Sequence, residues 1–150
     1  MSKLSYFDYA GFGERSKKDI NYSQAVRIDN RIEISGQGTI PARLSHSTPA
    51  ETNTGGWHRL TEKYPSDLGA EIDQAFDNVE HAVLHAGGTG LDQVYKLRVY
   101  ITGAMEEYFE GLAKNLKGRF KEHGPLLTVV QVKGLFEGMR IEIEAEAFVG

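Results

Sequence analysis

The stretch RIEIEAEAF, Arg140–Phe148, decides the fold. Its residues alternate strictly, with Ile141, Ile143, Ala145 and Ala147 on one side and Arg140, Glu142, Glu144 and Glu146 on the other. A two-residue period of this kind marks a strand with one face in a core and the other against water or polar neighbours. Just upstream, GPLLTVVQV (Gly124–Val132) does not alternate, and Leu126, Leu127, Val129 and Val130 make it apolar on both faces. Such a strand needs cover on both sides. A row of carboxylates running near it therefore calls for an explanation.

Working outward, the two strands enclose the turn KGLFEG and close the chain. Before them, Met105–Glu122 carries Tyr108, Phe109, Leu112, Leu116 and Phe120 at helical spacing. Val94–Thr102 reads as a strand with Leu97, Val99 and Ile101 inward. Ser66 or Asp67 is placed to N-cap a helix that runs to about Ala86, with Ile72, Phe76, Val79, Val83 and Ala86 as its stripe and Gly87-Gly88 as its end. Ala25–Ile28 and Arg31–Ser35, separated by Asp29-Asn30, form a hairpin pattern. Residues 1–20 read as a polar, aromatic-flecked arm with a short strand near Ser5–Tyr9, and residues 38–65 as a long loop without periodicity. The order β-β-α-β-α-β-β describes an α+β domain: a mixed sheet with two helices packed on one face. The other face is left open, and the apolar Leu126–Val130 strand makes self-association the economical way to cover it.

A chain of 150 residues fits one domain with a single core, so residues 1–150 are read as one unit. The formal charge of −4 argues against a general nucleic-acid or membrane-surface binder. No apolar run reaches the ~20 residues that span a bilayer, and the N-terminus lacks a secretory apolar region. The absence of cysteine removes disulfides, thiol nucleophiles and cysteine metal sites. The expected location is cytoplasmic.

Several constellations could carry chemistry. A glutamate of the carboxylate row, walled by apolar neighbours, would have a raised pKa suited to proton transfer; the plainer reading is a solvated strand face. His81 and His85 lie four apart on the first helix, a spacing that can hold a metal. They fall on the side opposite the apolar stripe, no third ligand is near, and the plain reading is a solvated helix face. AGGTGLD (Ala86–Asp92) follows a helix instead of a strand, so it reads as a C-cap and turn rather than a phosphate loop. ISGQG around Ser35 is not a G-x-S-x-G nucleophile elbow. GGWHR (Gly55–Arg59), in the long loop, joins a glycine pair to a Trp, a His and a cation, which suits a lid or an interface.

Taken together, NYSQAV (Asn21–Val26), EISGQ (Glu33–Gln37), QAFDNVEHAVLHAGG (Gln74–Gly88), LDQVYKLRVYIT (Leu91–Thr102), GPLLTVVQV and RIEIEAEA resemble the RidA family, also called YjgF or L-PSP endoribonuclease. The resemblance implies a chorismate-mutase-like fold in a homotrimer, with a cleft at each subunit interface. It implies a small 2-imino or enamino acid substrate whose carboxylate an arginine holds while water attacks the C=N carbon. Tyr22 then matches a pocket-lining tyrosine, Ser35 the serine that helps fix the ligand, and Glu142 the glutamate associated with the attacking water. The family's arginine follows a Pro-Ala pair, in P-A-R-S. Here the chain reads Pro125-Leu126-Leu127-Thr128, which places Leu127 at that position. Leucine has neither the charge nor the forked donors.

The expectation is therefore an enzyme with Glu142, Ser35 and Tyr22 as catalytic residues. Leu127, Val129, Tyr100, Arg98, Trp57 and His58 are its substrate-binding set. It would hydrolyse an imine or enamine, or transfer a proton in a tautomerisation, dehydration or cyclisation, on a substrate other than the standard 2-imino acid. Leu127 and Val129 are expected to wall Glu142 from water, and Arg43, His58 or Arg59 could return a cation to the cleft. No cofactor or metal is implied. The alternatives are a metabolite-binding or regulatory trimer without chemistry and, against the acidic balance, an endoribonuclease.

Overall fold

The computed structural model describes residues 3–38 and 65–150. In chain order the elements are β1 (Leu4–Phe7), α1 (Phe12–Ile20), β2 (Ala25–Ile28), β3 (Arg31–Gly38), α2 (Leu68–His85), β4 (Val94–Ile101), α3 (Met105–Arg119), β5 (Leu126–Gln131) and β6 (Ile141–Phe148). They build one six-stranded sheet in the order β1-β2-β3-β6-β4-β5. All pairs are antiparallel except β4 with β5, which α3 joins as a parallel crossover. The α+β class and the mixed sheet follow the sequence reading. The structure adds α1, a nine-residue helix inside the expected N-terminal arm, and makes β1 a full edge strand of the sheet.

Local chemistry sets the boundaries. Asp67 caps α2 by accepting the Ala70 N–H at 2.8 Å. Asp29 takes φ 53° to turn the β2–β3 hairpin. The helices cover the face of the sheet that carries Ile32, Ile34, Leu97, Val99, Ile101, Ile141 and Ile143, all of them buried. Phe76 and Val79 of α2 and Tyr108 and Leu112 of α3 complete the core. Phe109 departs from the expected α3 stripe: it is 65% exposed, because the sheet edge beneath α3 ends at β5. His81 is half-buried, not solvated: its ring packs edge-on to Tyr9 at 5.0 Å and stacks on His85 at 6.3 Å.

One polar contact ties the core to the start of β6. Glu71 is 1% exposed and sits in the first turn of α2. It accepts the Arg140 backbone N–H at 2.9 Å and the Arg140 Nε–H at 2.5 Å. The same guanidinium reaches the Pro65 carbonyl at 3.1 Å. The helix N-terminus and the strand that carries Glu142 are thus held by one carboxylate. Removing the guanidinium would take away the cation that pairs with this buried carboxylate. Arg140→Met is expected to cost about 3 kcal/mol of unfolding free energy, read from urea denaturation; a loss below about 0.5 kcal/mol, the range of ordinary surface substitutions, would contradict this clamp.

Candidate functional site

The polar edge of β6 points to the open face. On the neighbouring strand β4 the register sets Lys96 beside Glu146, Arg98 beside Glu144 and Tyr100 beside Glu142. Two of the three glutamates are matched. Glu146 accepts from Lys96 Nζ at 2.7 Å and from the Tyr95 hydroxyl at 2.6 Å, and these two bonds, the lysine's first, hold its pKa below the ordinary carboxylate range. Glu144 accepts from the Tyr100 hydroxyl at 3.1 Å and pairs with Arg98 at 3.6 Å. The row is therefore a ladder of cross-strand pairs, not a run of mutual repulsion.

Glu142 is the exception. Among the described residues its carboxylate has neither a hydrogen bond nor an ion pair. It folds over Gly36 so closely that a Cβ there would collide with Oε1 and come within 2.5 Å of Cδ. Burial, and next the charge of Glu144, push the Glu142 pKa up. An unpaired, desolvated carboxylate with a raised pKa at the open face is an expensive arrangement, and functional sites are where such arrangements concentrate.

Beside it, the open face holds a cleft of about 360 Å³ lined by Ser23, Ser35, Lys96, Arg98 and Glu144, with Tyr6 and Val26 as its apolar side. Ser35 belongs to a β-bulge: pairing of β3 with β6 shifts between Ile34 and Gln37. Its Oγ–H and its backbone N–H both donate to the Gln24 carbonyl, each at 3.0 Å. Beneath the bulge, Gln37 Nε2 donates to Gln24 Oε1 at 3.1 Å and to the Ser35 carbonyl at 2.9 Å. The Tyr9 hydroxyl in turn donates to Gln37 Oε1 at 2.9 Å. Neither glutamine was singled out from sequence, although both stand inside the motifs YSQ and SGQ. By the alternation of β3, with Ile32 and Ile34 inward, Gln37 would face outward, and the bulge turns it in, so no local pattern marks it.

The structure brings together Glu142, Ser35, Tyr100 and Arg98 on the open face. Tyr22 is half-buried in the turn before β2 and does not line the cleft. Leu127 and Val129 do not wall Glu142 within the chain. The parallel register pairs them with Leu97 and Val99, whose side chains point to the helices, while Glu142 pairs with Tyr100 on the opposite face. Glu142 instead lies against Gly36. Arg43, Trp57, His58 and Arg59 lie outside the described residues. No group of three or more His, Asp or Glu side chains among the described residues could hold a metal, and no helix among them is long and apolar enough to cross a membrane.

The family described as Endoribonuclease L-PSP matches residues 14–149. A human protein named 2-iminobutanoate/2-iminopropanoate deaminase is 32% identical over 130 residues, covering 86% of this chain and 80% of its own. RidA from the Antarctic bacterium Psychrobacter sp. is 27% identical with a TM-score of 0.68, over 85% of this chain and 88% of its own. The YjgF protein of E. coli is 27% identical with a TM-score of 0.66, over 85% of this chain and 87% of its own.

The raised Glu142 pKa has a consequence for stability. A carboxylate whose folded pKa exceeds its unfolded value is neutral in both states at low pH and penalises folding once both states are ionised. Glu142→Gln keeps the shape and removes that penalty. Its melting temperature is expected to exceed wild type at pH 7, with the gap closing as pH falls below the carboxylate range. A variant less stable than wild type at pH 7 would contradict the burial account.

Proposed function

The chain belongs to the endoribonuclease L-PSP family, the RidA/YjgF proteins, and from that premise we propose that it is a small-molecule enzyme that hydrolyses an imine or enamine at Glu142. The observation that carries the reading is the desolvated carboxyl seated on Gly36, unpaired among the described residues. Ionised, Glu142 takes a proton from water as the hydroxide oxygen adds to the C=N carbon, and passes that proton to the nitrogen to give a neutral carbinolamine. Glu142 then takes the carbinolamine hydroxyl proton and gives it to the amine as the C–N bond breaks, and the products are a carbonyl compound and ammonia. A raised pKa makes Glu142 a stronger base when ionised and a ready acid when protonated, as both half-steps require. Ser35 and Tyr100 flank the reacting position in this scheme.

Leu127 narrows the substrate. The human relative's name specifies small 2-imino acids, which are carboxylates. With leucine at the arginine position of the family pattern, a substrate carboxylate has no forked cation there. The reading is of a substrate more apolar or differently charged at that end than a short 2-imino acid, with Leu127, which faces the helices within its own chain, meeting it from a neighbouring subunit of the trimer. If the loss of the arginine had ended catalysis altogether, the protein would be a metabolite-binding trimer, and Glu142→Gln would leave no activity to lose.

The same reading includes a homotrimer through the open face. Leu126 is 68% exposed, Tyr6 62% and Val130 42%. Register places all three on that face, on either side of the charged ladder. An apolar rim of this size is normally covered. Light scattering is expected to give three times the 16.7 kDa chain mass, and Val130→Glu to shift the protein toward monomer; a monomeric wild type would contradict the assembly.

The chemistry is tested by ammonia release from a panel of imines generated in situ, graded from short 2-imino acids to apolar imines. Glu142→Gln is expected to lower kcat by about 10²-fold or more on any substrate turned over. Leu127→Arg is expected to shift preference toward 2-iminobutanoate. Unchanged turnover by Glu142→Gln, or wild-type preference for the short acids, would overturn the assignment. RNA cleavage lost in the same variant would favour the ribonuclease reading instead.

A further inference from the structure

The buried polar ladder below the cleft has no counterpart in the chemistry above, yet it ends at the Ser35–Gly36 peptide, whose glycine lies against Glu142. Gln24 and Gln37 are 1% and 2% exposed, where apolar side chains would ordinarily pack. Gln37 spends both ends of its amide. Oε1 accepts from Tyr9, and Nε2 donates to Gln24 Oε1 and to the carbonyl of its own second neighbour, Ser35. That carbonyl belongs to the Ser35–Gly36 peptide, the irregular point of the β3–β6 pairing. A bulge is otherwise free to adjust, and bulges beside functional sites re-aim side chains. Here the peptide plane is held from below by Gln37 while Gly36 is covered from above by Glu142.

The second consequence concerns Ser35. Its only hydroxyl proton is committed to the Gln24 carbonyl at 3.0 Å. A serine hydroxyl has one donor and two acceptor lone pairs, so the side that faces the cleft can only accept. The ladder is also not tuned for stability alone. Gln24 Nε2 is buried and has no acceptor among the described residues, an arrangement that folded proteins seldom keep without another use.

We propose that Gln24 and Gln37 are positioning residues that pin the Ser35–Gly36 bulge, so that Ser35 presents an acceptor to a substrate N–H and Gly36 seats the Glu142 carboxyl. This rests on the imine-hydrolysis reading for its substrate, since an imine or enamine nitrogen that carries hydrogen supplies the donor. It goes further in assigning Ser35 to binding the nitrogen, not to nucleophilic attack. The bulge also becomes the element that keeps Glu142 out of water.

The test uses two readouts on the full chain: steady-state ammonia release from in-situ imine, and the titration of the Glu142 carboxyl by 13C NMR. Gln37→Met keeps the volume and removes the three bonds that the Gln37 amide makes. In folded protein it is expected to lower kcat by about 10²-fold, the cost of a small misplacement, and to move the Glu142 pKa down toward the ordinary glutamate value. Tyr9→Phe cuts only the far rung and is expected to move both readouts the same way by less. Ser35→Ala is expected to raise KM about tenfold, the loss of one hydrogen bond of about 1 kcal/mol or slightly more. A Gln37→Met protein that loses stability but keeps the wild-type kcat, KM and Glu142 titration overturns the proposal. If that variant does not fold, a Tyr9→Phe protein unchanged in both readouts does so. Should wild type release no ammonia from any imine, the imine reading fails by itself; the titration then decides, with a shift supporting the pinned bulge and no shift overturning it.

Discussion

β6 sits between β3 and β4, and its two-residue period forces a division that every other element respects. On one side Ile141, Ile143, Ala145 and Ala147 are sealed in the core under α2. On the other, three glutamates about 7 Å apart along the strand must find partners, water or a use. Lys96 and Arg98 of β4, in register with them, neutralise Glu146 and Glu144. The third has Tyr100 beside it and Gly36 beneath it, and neither carries a charge. The site is a by-product of that arithmetic: one strand, three carboxylates, two cations.

The constraint propagates through backbone as much as through side chains. Glu71 fixes the Arg140 peptide immediately before β6, and the Gln37 amide fixes the Ser35 carbonyl across from it. Glu142 is therefore held between two strands that are each tied down by a buried side chain. Preorganisation of this kind keeps a desolvated carboxyl in place without a counter-ion among the described residues. The glycine leaves room for it, because a Cβ at position 36 would occupy the carboxyl's space and displace it.

Much of the fold was legible because burial writes itself into period. The alternation of β6, the helical stripes of α2 and α3 and the Asp67 cap all sit where local chemistry places them. α1 was not legible: FGERSKKDI has a nearly all-polar surface, and only Phe12, Gly13 and Ser16 turn inward. Phe109 misled because helical spacing marks a stripe but not how far the sheet beneath it extends. The site was half legible. Glu142 and Ser35 stand in recognisable motifs, but which face Leu127 occupies depends on parallel register with β4, which no local pattern encodes. The amide ladder was invisible for a similar reason: Gln24 and Gln37 are thirteen residues apart in sequence and look like ordinary surface polar residues until β2 and β3 pair.

The account stands or falls on whether Glu142 titrates as a desolvated base during turnover. The direct measurement is the pH dependence of kcat for imine hydrolysis by wild type and Glu142→Gln. The expected result is activity that rises with pH through an apparent pKa above the ordinary glutamate value, on a limb that the Gln variant lacks. An unshifted limb, or the same limb in both proteins, would contradict it.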